Sequence, residues 1–291
     1  MGTVPAGSAA GATDGTAARG PLRADAVLGA VTGGSGRHGG SGGGGLWTAV
    51  EVVASTGSTN ADLLARGGPE GQVLVAEEQT AGRGRAGRAW VSVPGASLTF
   101  SVLLRPASVP PALRGWLPLL TGVAVAAAVR SVAGVAAVLK WPNDVLVGDR
   151  KLAGILAEQS PADDAVVVGV GLNVATPEDA LPVSPNGLPA TSLLVEGAEV
   201  AREPLLAEIL RCLEREYLAF RADPDPARSG LLAEYTAACA TLGRTVRVEL
   251  PAGRLLVGQA EGIDRGGRLL VRPVGAASAT PVSAGDIVHL R

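Results

Sequence analysis

Hydrophobic positions divide the chain into three textures. Up to about residue 45 they are sparse and without period, and nine glycines fall within 33–45. Such a segment buries too little apolar surface to offset the entropy of ordering it. Residues 1–45 are therefore expected to be a disordered Gly/Ala-rich tail, with 26–31 apolar enough only for a short helix. Order is expected to begin near Leu46-Trp47-Thr48. A helix is predicted over 61–66, with Ser58 or Thr59 near its N-cap. Apolar runs at 73–77, 97–104, 138–140, 145–147, 152–158 and 166–174 read as strands, and the almost wholly apolar 113–132 reads as a buried helix. Leu206, Ile209, Leu210, Leu213 and Tyr217 recur at helical spacing and predict a helix over 203–220. Asp223-Pro224-Asp225-Pro226 ends it, and a shorter helix is expected over 231–239. After Thr241-Leu242-Gly243 the pattern alternates in short runs separated by glycines, which predicts a small β-barrel of about 50 residues. The plan is a tail (1–45), an α/β unit (46–240) and a small β unit (241–291).

One stretch fits neither period. Residues 82–88 hold three glycines and three arginines, and Trp90 follows. Glycine lets backbone N–H groups approach a ligand, and arginine supplies planar, permanently charged donors. Together they describe a loop that closes over an anion and orders on binding it.

Composition narrows the choices. Apolar residues make up 47% of the chain but aromatics only 3%, so the core is built mainly from Val, Leu and Ala. A net charge of −2 offers no general attraction to nucleic acid. The N-terminus lacks the basic and apolar regions of a signal peptide. The longest uncharged run, between Arg114 and Arg130, holds 15 residues, short of the ~20 that span a bilayer. A cytoplasmic protein without a membrane segment is expected. Cys212 and Cys239 lie in Ala/Leu-rich contexts and read as small buried hydrophobes. The two histidines, His38 in the glycine tract and His289 near the C-terminus, do not promise a positioned imidazole. An enzyme of this composition works by electrostatics and positioning.

Four clusters carry candidate chemistry, each with a plainer reading beside it. Ser58-Thr59-Asn60 is an N-cap or a set of directed donors and acceptors around a polar head group. Gln79 leads into the glycine-arginine loop, whose arginines are a solvated surface or an anion clamp; Trp90 anchors the core or covers a bound ring. In Lys140-Trp141-Pro142-Asn143-Asp144, the Asn-Asp pair forms a turn, or Asp144 holds Mg²⁺ or orients a cation. Lys151, at the start of a strand containing Gly154, is a surface charge or an ammonium aimed at a carboxylate or phosphate oxygen. Gly169 to Asn173 supplies a second strand of close approach, with Asn173 a candidate base or ribose contact.

In this order and spacing, Ser58-Thr59-Asn60, the loop 82–88 with Trp90, KWPND at 140–144, KLAGIL at 151–156 and Gly169 to Asn173 resemble the biotin protein ligases. The resemblance implies an α+β fold. Its catalytic domain is a mixed β-sheet with packed helices, of the class II aminoacyl-tRNA synthetase/biotin ligase type, followed by a small C-terminal SH3-like β-barrel. It implies formation of biotinyl-5′-AMP from biotin and ATP with Mg²⁺, then transfer of biotin to a lysine of the biotin carboxyl carrier domain of an acyl-CoA carboxylase. By similarity Ser58, Thr59, Asn60, Gln79, Gly82, Arg83, Arg85, Lys151 and Gly154 would hold biotin. Arg85, Arg88, Trp90, Asn143, Lys151 and Asn173 would hold ATP and the adenylate. Lys151, Arg85 and Arg83 would be catalytic, and Asp144 is the candidate magnesium ligand. Ala86 departs from relatives that carry a further arginine there. Some relatives also carry an N-terminal winged-helix domain. Residues 1–45 are too short and too poor in apolar residues for one, so no DNA-binding or repressor role is expected. A homodimer is left open. Two other readings stay beside the main one: a lipoate or octanoate ligase on the related fold, and a non-catalytic regulator that senses biotinyl-adenylate.

Overall fold

The two strands most deeply buried lie side by side in the middle of the larger sheet. The structure is a computed structural model describing residues 20–33, 45–182, 188–250, 254–283 and 285–290. Strand β3 (Ser97–Leu104) is buried along its whole length, and β7 (Val166–Asn173) nearly so, because both faces of the sheet are covered. The other strands are β1 (Ala49–Val53), β2 (Gln72–Ala76), β4 (Ala137–Lys140), β5 (Asp144–Val147) and β6 (Arg150–Gln159). Their order is β1-β2-β3-β7-β6-β5-β4. The β1–β2 pair is parallel and every other pair antiparallel, so the sheet is mixed.

Helix α3 (Trp116–Ala133) runs under the sheet beside α4 (Arg202–Ala222). Pro118 is tolerated because it falls in the first turn, where no helical hydrogen bond is lost. The segment Pro111–Ala133 has the length and hydropathy of a membrane span, yet α3 is buried on nearly every face. It is the core helix of the fold. The amphipathic stripe of α4 buries Leu206, Ile209, Leu210, Leu213 and Tyr217, as its spacing predicts.

One strand and the docking of one short helix were not legible. β1 was not expected, its A-V-E-V-V run giving only a weak alternation. The expected tail also contains helix α1 (Ala24–Thr32), packed on α4 and β1. Leu22, Val27 and Val31 are buried there, and Glu77 accepts from the Leu22 amide at 2.8 Å. A single apolar stripe one helical turn apart is enough to dock this segment, and the surrounding glycines hide it in any average. Residues 1–19 and 34–44 of the expected tail, His38 included, lie outside the described residues.

Helices α2 (Thr59–Arg66) and α5 (Leu231–Ala238) complete the larger unit. The C-terminal strands β8 (Thr245–Glu249), β9 (Leu255–Ile263), β10 (Leu269–Pro273), β11 (Thr280–Val282) and β12 (Asp286–His289) form an antiparallel sheet, the small SH3-like unit. It is fixed to the first unit by two tryptophans. Trp141 Nε1 donates to the Gly267 carbonyl at 2.9 Å, and Trp116 Nε1 to the Arg265 carbonyl at 2.8 Å. Cys212 and Cys239 are free and buried.

Candidate functional site

The start of α2 supplies the deepest polar groups of the site. Ser58 has extended backbone and caps the helix, its hydroxyl accepting from the Ala61 amide at 3.5 Å. That capping puts Thr59 and Asn60 in the first turn, both buried against the sheet. The Thr59 amide and hydroxyl donate to Gln79 Oε1 at 2.8 and 3.0 Å. Asn60 Nδ2 donates to the Leu156 carbonyl at 3.1 Å and to Glu158 Oε2 at 2.8 Å. Ser101 Oγ lies 2.7 Å from Thr59 Oγ1 and 2.6 Å from Asn60 Oδ1. This network fixes the direction of every polar atom before a ligand arrives.

Glycines on β6 and β7 make the floor. A β-carbon on Gly169 would run into Asn60, and one on Gly171 into the Trp90 indole. At Gly154 a β-carbon would stand 3.3 Å from Trp90 Cζ3 and 3.2 Å from Lys151 Nζ. The Trp90 ring therefore reaches across Gly171 of β7 and Gly154 of β6, with Lys151 Nζ 5.8 Å from its centroid. Its Nε1 is buried without a partner, a polar atom left free inside the cavity.

The glycine-arginine loop folds over this floor. The Trp90 amide donates to the Gly82 carbonyl at 2.9 Å and the Gly84 amide to the Arg88 carbonyl at 2.6 Å, so the loop is a narrow pinched turn. Ala86 takes a left-handed φ of 54°, which costs a non-glycine residue about 1 kcal/mol. The arginines fan out to separate partners. Arg83, exposed, pairs with Glu158 at 3.2 Å; Arg85 Nη1 donates to Asn143 Oδ1 at 3.1 Å; Arg88 Nη2 donates to Asp286 Oδ1 at 2.8 Å. Burial pushes the Arg85 guanidinium below its ordinary value, against the pull of Asp286 and Asp144.

Opposite the loop, Lys151 Nζ lies 2.6 Å from Asp144 Oδ1, and Lys140 Nζ lies 3.6 Å from Asp144 Oδ2. Burial lowers the Lys140 pKa, with Asp144 opposing that shift. Asp144 was expected as a magnesium ligand. Here one carboxylate is shared by two ammonium groups. Among the described residues no cluster of three or more His, Cys, Asp or Glu side chains could cage a metal. Magnesium is usually held by one or two carboxylates together with substrate phosphates, so a single Asp144 carboxylate fits only a metal that arrives with ATP.

These groups surround a cavity of about 410 Å³, in the size range of small-molecule sites. Ser58, Thr59, Asn60, Gln79, Arg83, Arg85, Arg88, Trp90, Asn143, Lys151, Gly154 and Asn173 all line it. Gly82 is buried behind the loop, where a β-carbon would press on Gln79 Nε2 at 2.8 Å. Asn173 spends its amide on the Thr191 carbonyl at 2.9 Å, leaving Oδ1 for a ligand. Asp144 lines an adjoining cavity of about 400 Å³ between the two units, together with Lys140, Arg244, Asp286 and His289. His289 is better placed than its sequence position suggested, its Nε2 3.1 Å from Thr241 Oγ1. Burial, with Lys140 and Arg244 nearby, pushes its pKa down to about 4, so the ring is neutral at pH 7.

Three participants had not been singled out: Ser101, Glu158 and Asp286. Ser101 had a usable signal, a third hydroxyl after Ser97 and Thr99 on one face of a strand whose other face is apolar. The other two sit at strand ends and show themselves only in three dimensions.

Comparison with known proteins follows this geometry. Residues 49–174 match the biotin/lipoate A/B protein ligase family, and residues 241–290 match the biotin protein ligase C-terminal domain. A biotin–[acetyl-CoA-carboxylase] ligase of Mycobacterium tuberculosis is 48% identical over 263 residues, covering 86% of this chain and 92% of that protein. One from Paracoccus denitrificans is 35% identical, covering 81% and 98%. Among solved structures, the Aquifex aeolicus biotin protein ligase in complex with biotin and ATP aligns with a TM-score of 0.70. It is 27% identical and covers 83% of this chain and 98% of that one.

Proposed function

Because the chain belongs to the biotin protein ligase family, we propose that it joins biotin to ATP and passes the activated biotin to a carrier-protein lysine. A biotin carboxylate oxygen attacks the α-phosphorus of ATP; the bond to the β-phosphate oxygen breaks, giving biotinyl-5′-AMP and pyrophosphate. The neutral ε-amine of the acceptor lysine then attacks the acyl carbon, AMP leaves, and the amine loses a proton. The acceptor is the biotin carboxyl carrier domain of acetyl-CoA carboxylase, and the reaction is assigned to the cytoplasm.

The observation that carries the reading is the convergence on one cavity of Arg83, Arg85, Arg88 and Lys151 with the directed polar set of Ser58, Thr59 and Gln79. Two anions must meet in the first step, and clustered cations offset their repulsion most where charge develops. We assign the ureido ring of biotin to Ser58, Thr59, Asn60 and Gln79. Its carboxylate and the α-phosphate go to Arg83, Arg85 and Lys151, and the adenylate to Arg88, Trp90, Asn143 and Asn173. Magnesium is assigned to the triphosphate, carried in with ATP. The loop excludes water and so slows hydrolysis of the mixed anhydride. We assign catalysis to 46–240 and an accessory role to 241–291.

Incubation with ATP, Mg²⁺ and either biotin or lipoate, followed by mass detection of the acyl-adenylate, tests this. Biotinyl-adenylate is expected. Adenylation of lipoate alone would overturn the assignment, and biotinyl-adenylate that is never transferred would point to a sensor.

A further inference from the structure

Asp286 lies 198 residues from Arg88 along the chain, yet it is the carboxylate that closes on the glycine-arginine loop. Arg88 is the pivot of that loop. Its Nε donates to the Arg85 carbonyl at 3.1 Å, and its own carbonyl accepts from Gly84 at 2.6 Å. A partner that fixes the Arg88 side chain therefore fixes the turn from both ends. Asp286 is itself well held. It opens β12, in register opposite Glu249 of β8, and the sheet it belongs to is pinned by Trp141 and Trp116. Among the described residues its one ion pair is with Arg88, at 2.8 Å, with both side chains about two-thirds buried. Asp144, shared by two lysines, is committed elsewhere. Without Asp286, Arg88 would face Arg85 with no countercharge of its own, and like charges would favour an open loop.

We propose that Asp286 is a positioning residue: its carboxylate holds Arg88, and with it the loop, folded over the cavity, so that retention of the acyl-adenylate depends on the C-terminal sheet. The inference rests on the function proposed above for the meaning of retention, but the latch itself is a property of the free protein.

The test uses the full chain as Asp286→Asn, Asp286→Glu, Arg88→Ala and the Arg88→Ala/Asp286→Asn double variant. Trypsin cleavage after Arg83 and Arg85 is followed by mass spectrometry without substrate, and release of biotinyl-adenylate formed in place is followed separately. Asp286→Asn is expected to raise cleavage at the loop about three- to tenfold, as for loss of a partly buried charge-assisted hydrogen bond. Adenylate release should rise by a similar factor. Cleavage elsewhere and the melting temperature stay unchanged, Asp286→Glu restores both readouts, and Asp286→Asn adds nothing to Arg88→Ala. Loop cleavage equal to that of the parent would overturn the latch, as would full additivity in the double variant. Cleavage raised throughout the chain with a lower melting temperature would assign Asp286 to folding alone and overturn it equally. A parent protein that makes no adenylate contradicts the proposed function instead, since loop cleavage is read without substrate.

Discussion

Lys151 meets Asp144 at 2.6 Å on one side and looks across the Trp90 ring at 5.8 Å on the other. Its ammonium is thus held at the cavity wall before any anion arrives, which limits the reorganisation left for the reaction. Lys151→Ala is expected to slow biotinyl-adenylate formation by about a hundredfold or more, measured in single turnover. A near-normal rate would mean the lysine is misassigned. Asp144 has a different duty, because it is the shared countercharge of two lysines, one of them buried. Asp144→Asn should cost about 1–3 kcal/mol of stability in urea unfolding, since it strands the Lys140 ammonium. A metal ligand at this position would instead show its loss in Mg²⁺ dependence.

At the scale of the element, the paired strands β6 and β7 are the platform on which the site is built. Gly171 is the place where side-chain bulk is forbidden, because the Trp90 indole already occupies the space of its β-carbon. Gly171→Ala should leave the fold intact and displace the indole. An increase of roughly ten- to a hundredfold in KM for biotin or ATP is expected, with a shift of tryptophan emission, because misplacement by about an ångström is costly in a preorganised site. Unchanged emission and kinetics would show that the ring is not seated there. The strands of this platform could be read from sequence because continuous apolar runs mark strands covered on both faces. The arginine loop was readable for the opposite reason: its composition fits no regular element. What could not be read depends on partners far along the chain. Nothing local to Asp286 or Glu158 announces Arg88 or Arg83, and nothing in K-W-P-N-D tells that Lys151 would claim Asp144. Helix α1 was legible as a short helix over 26–31, but its docking on α4 and β1 was not, because its few buried residues are diluted by glycine.

For the molecule as a whole, the joint between the two units combines two tryptophan anchors with a polar cavity. His289 sits in it neutral, its pKa depressed to about 4. A base depressed in the folded state is protonated first in the unfolded chain, so the unfolded state binds more protons between about 4 and the ordinary ~6.5. Its contribution is therefore whole above ~6.5 and is lost as pH falls toward 4. Urea midpoints should drop between pH 7 and pH 5 in the parent and drop less in His289→Gln; parallel losses would contradict this. The N-terminal helix binds the other side of the molecule. Val27→Ala should lower stability by about 1–3 kcal/mol in the same assay, whereas a segment that is merely draped would lose nothing.

All three scales meet in the transfer of biotin through one closed cavity. The most direct measurement combines purified protein, biotin, ATP, Mg²⁺ and an isolated biotin carboxyl carrier domain, with intact-mass analysis of the carrier. One biotin on the acceptor lysine, dependent on ATP and abolished by Lys151→Ala, is the expected result. A carrier that stays unmodified, or that gains biotin equally with the Lys151 variant, would contradict the account.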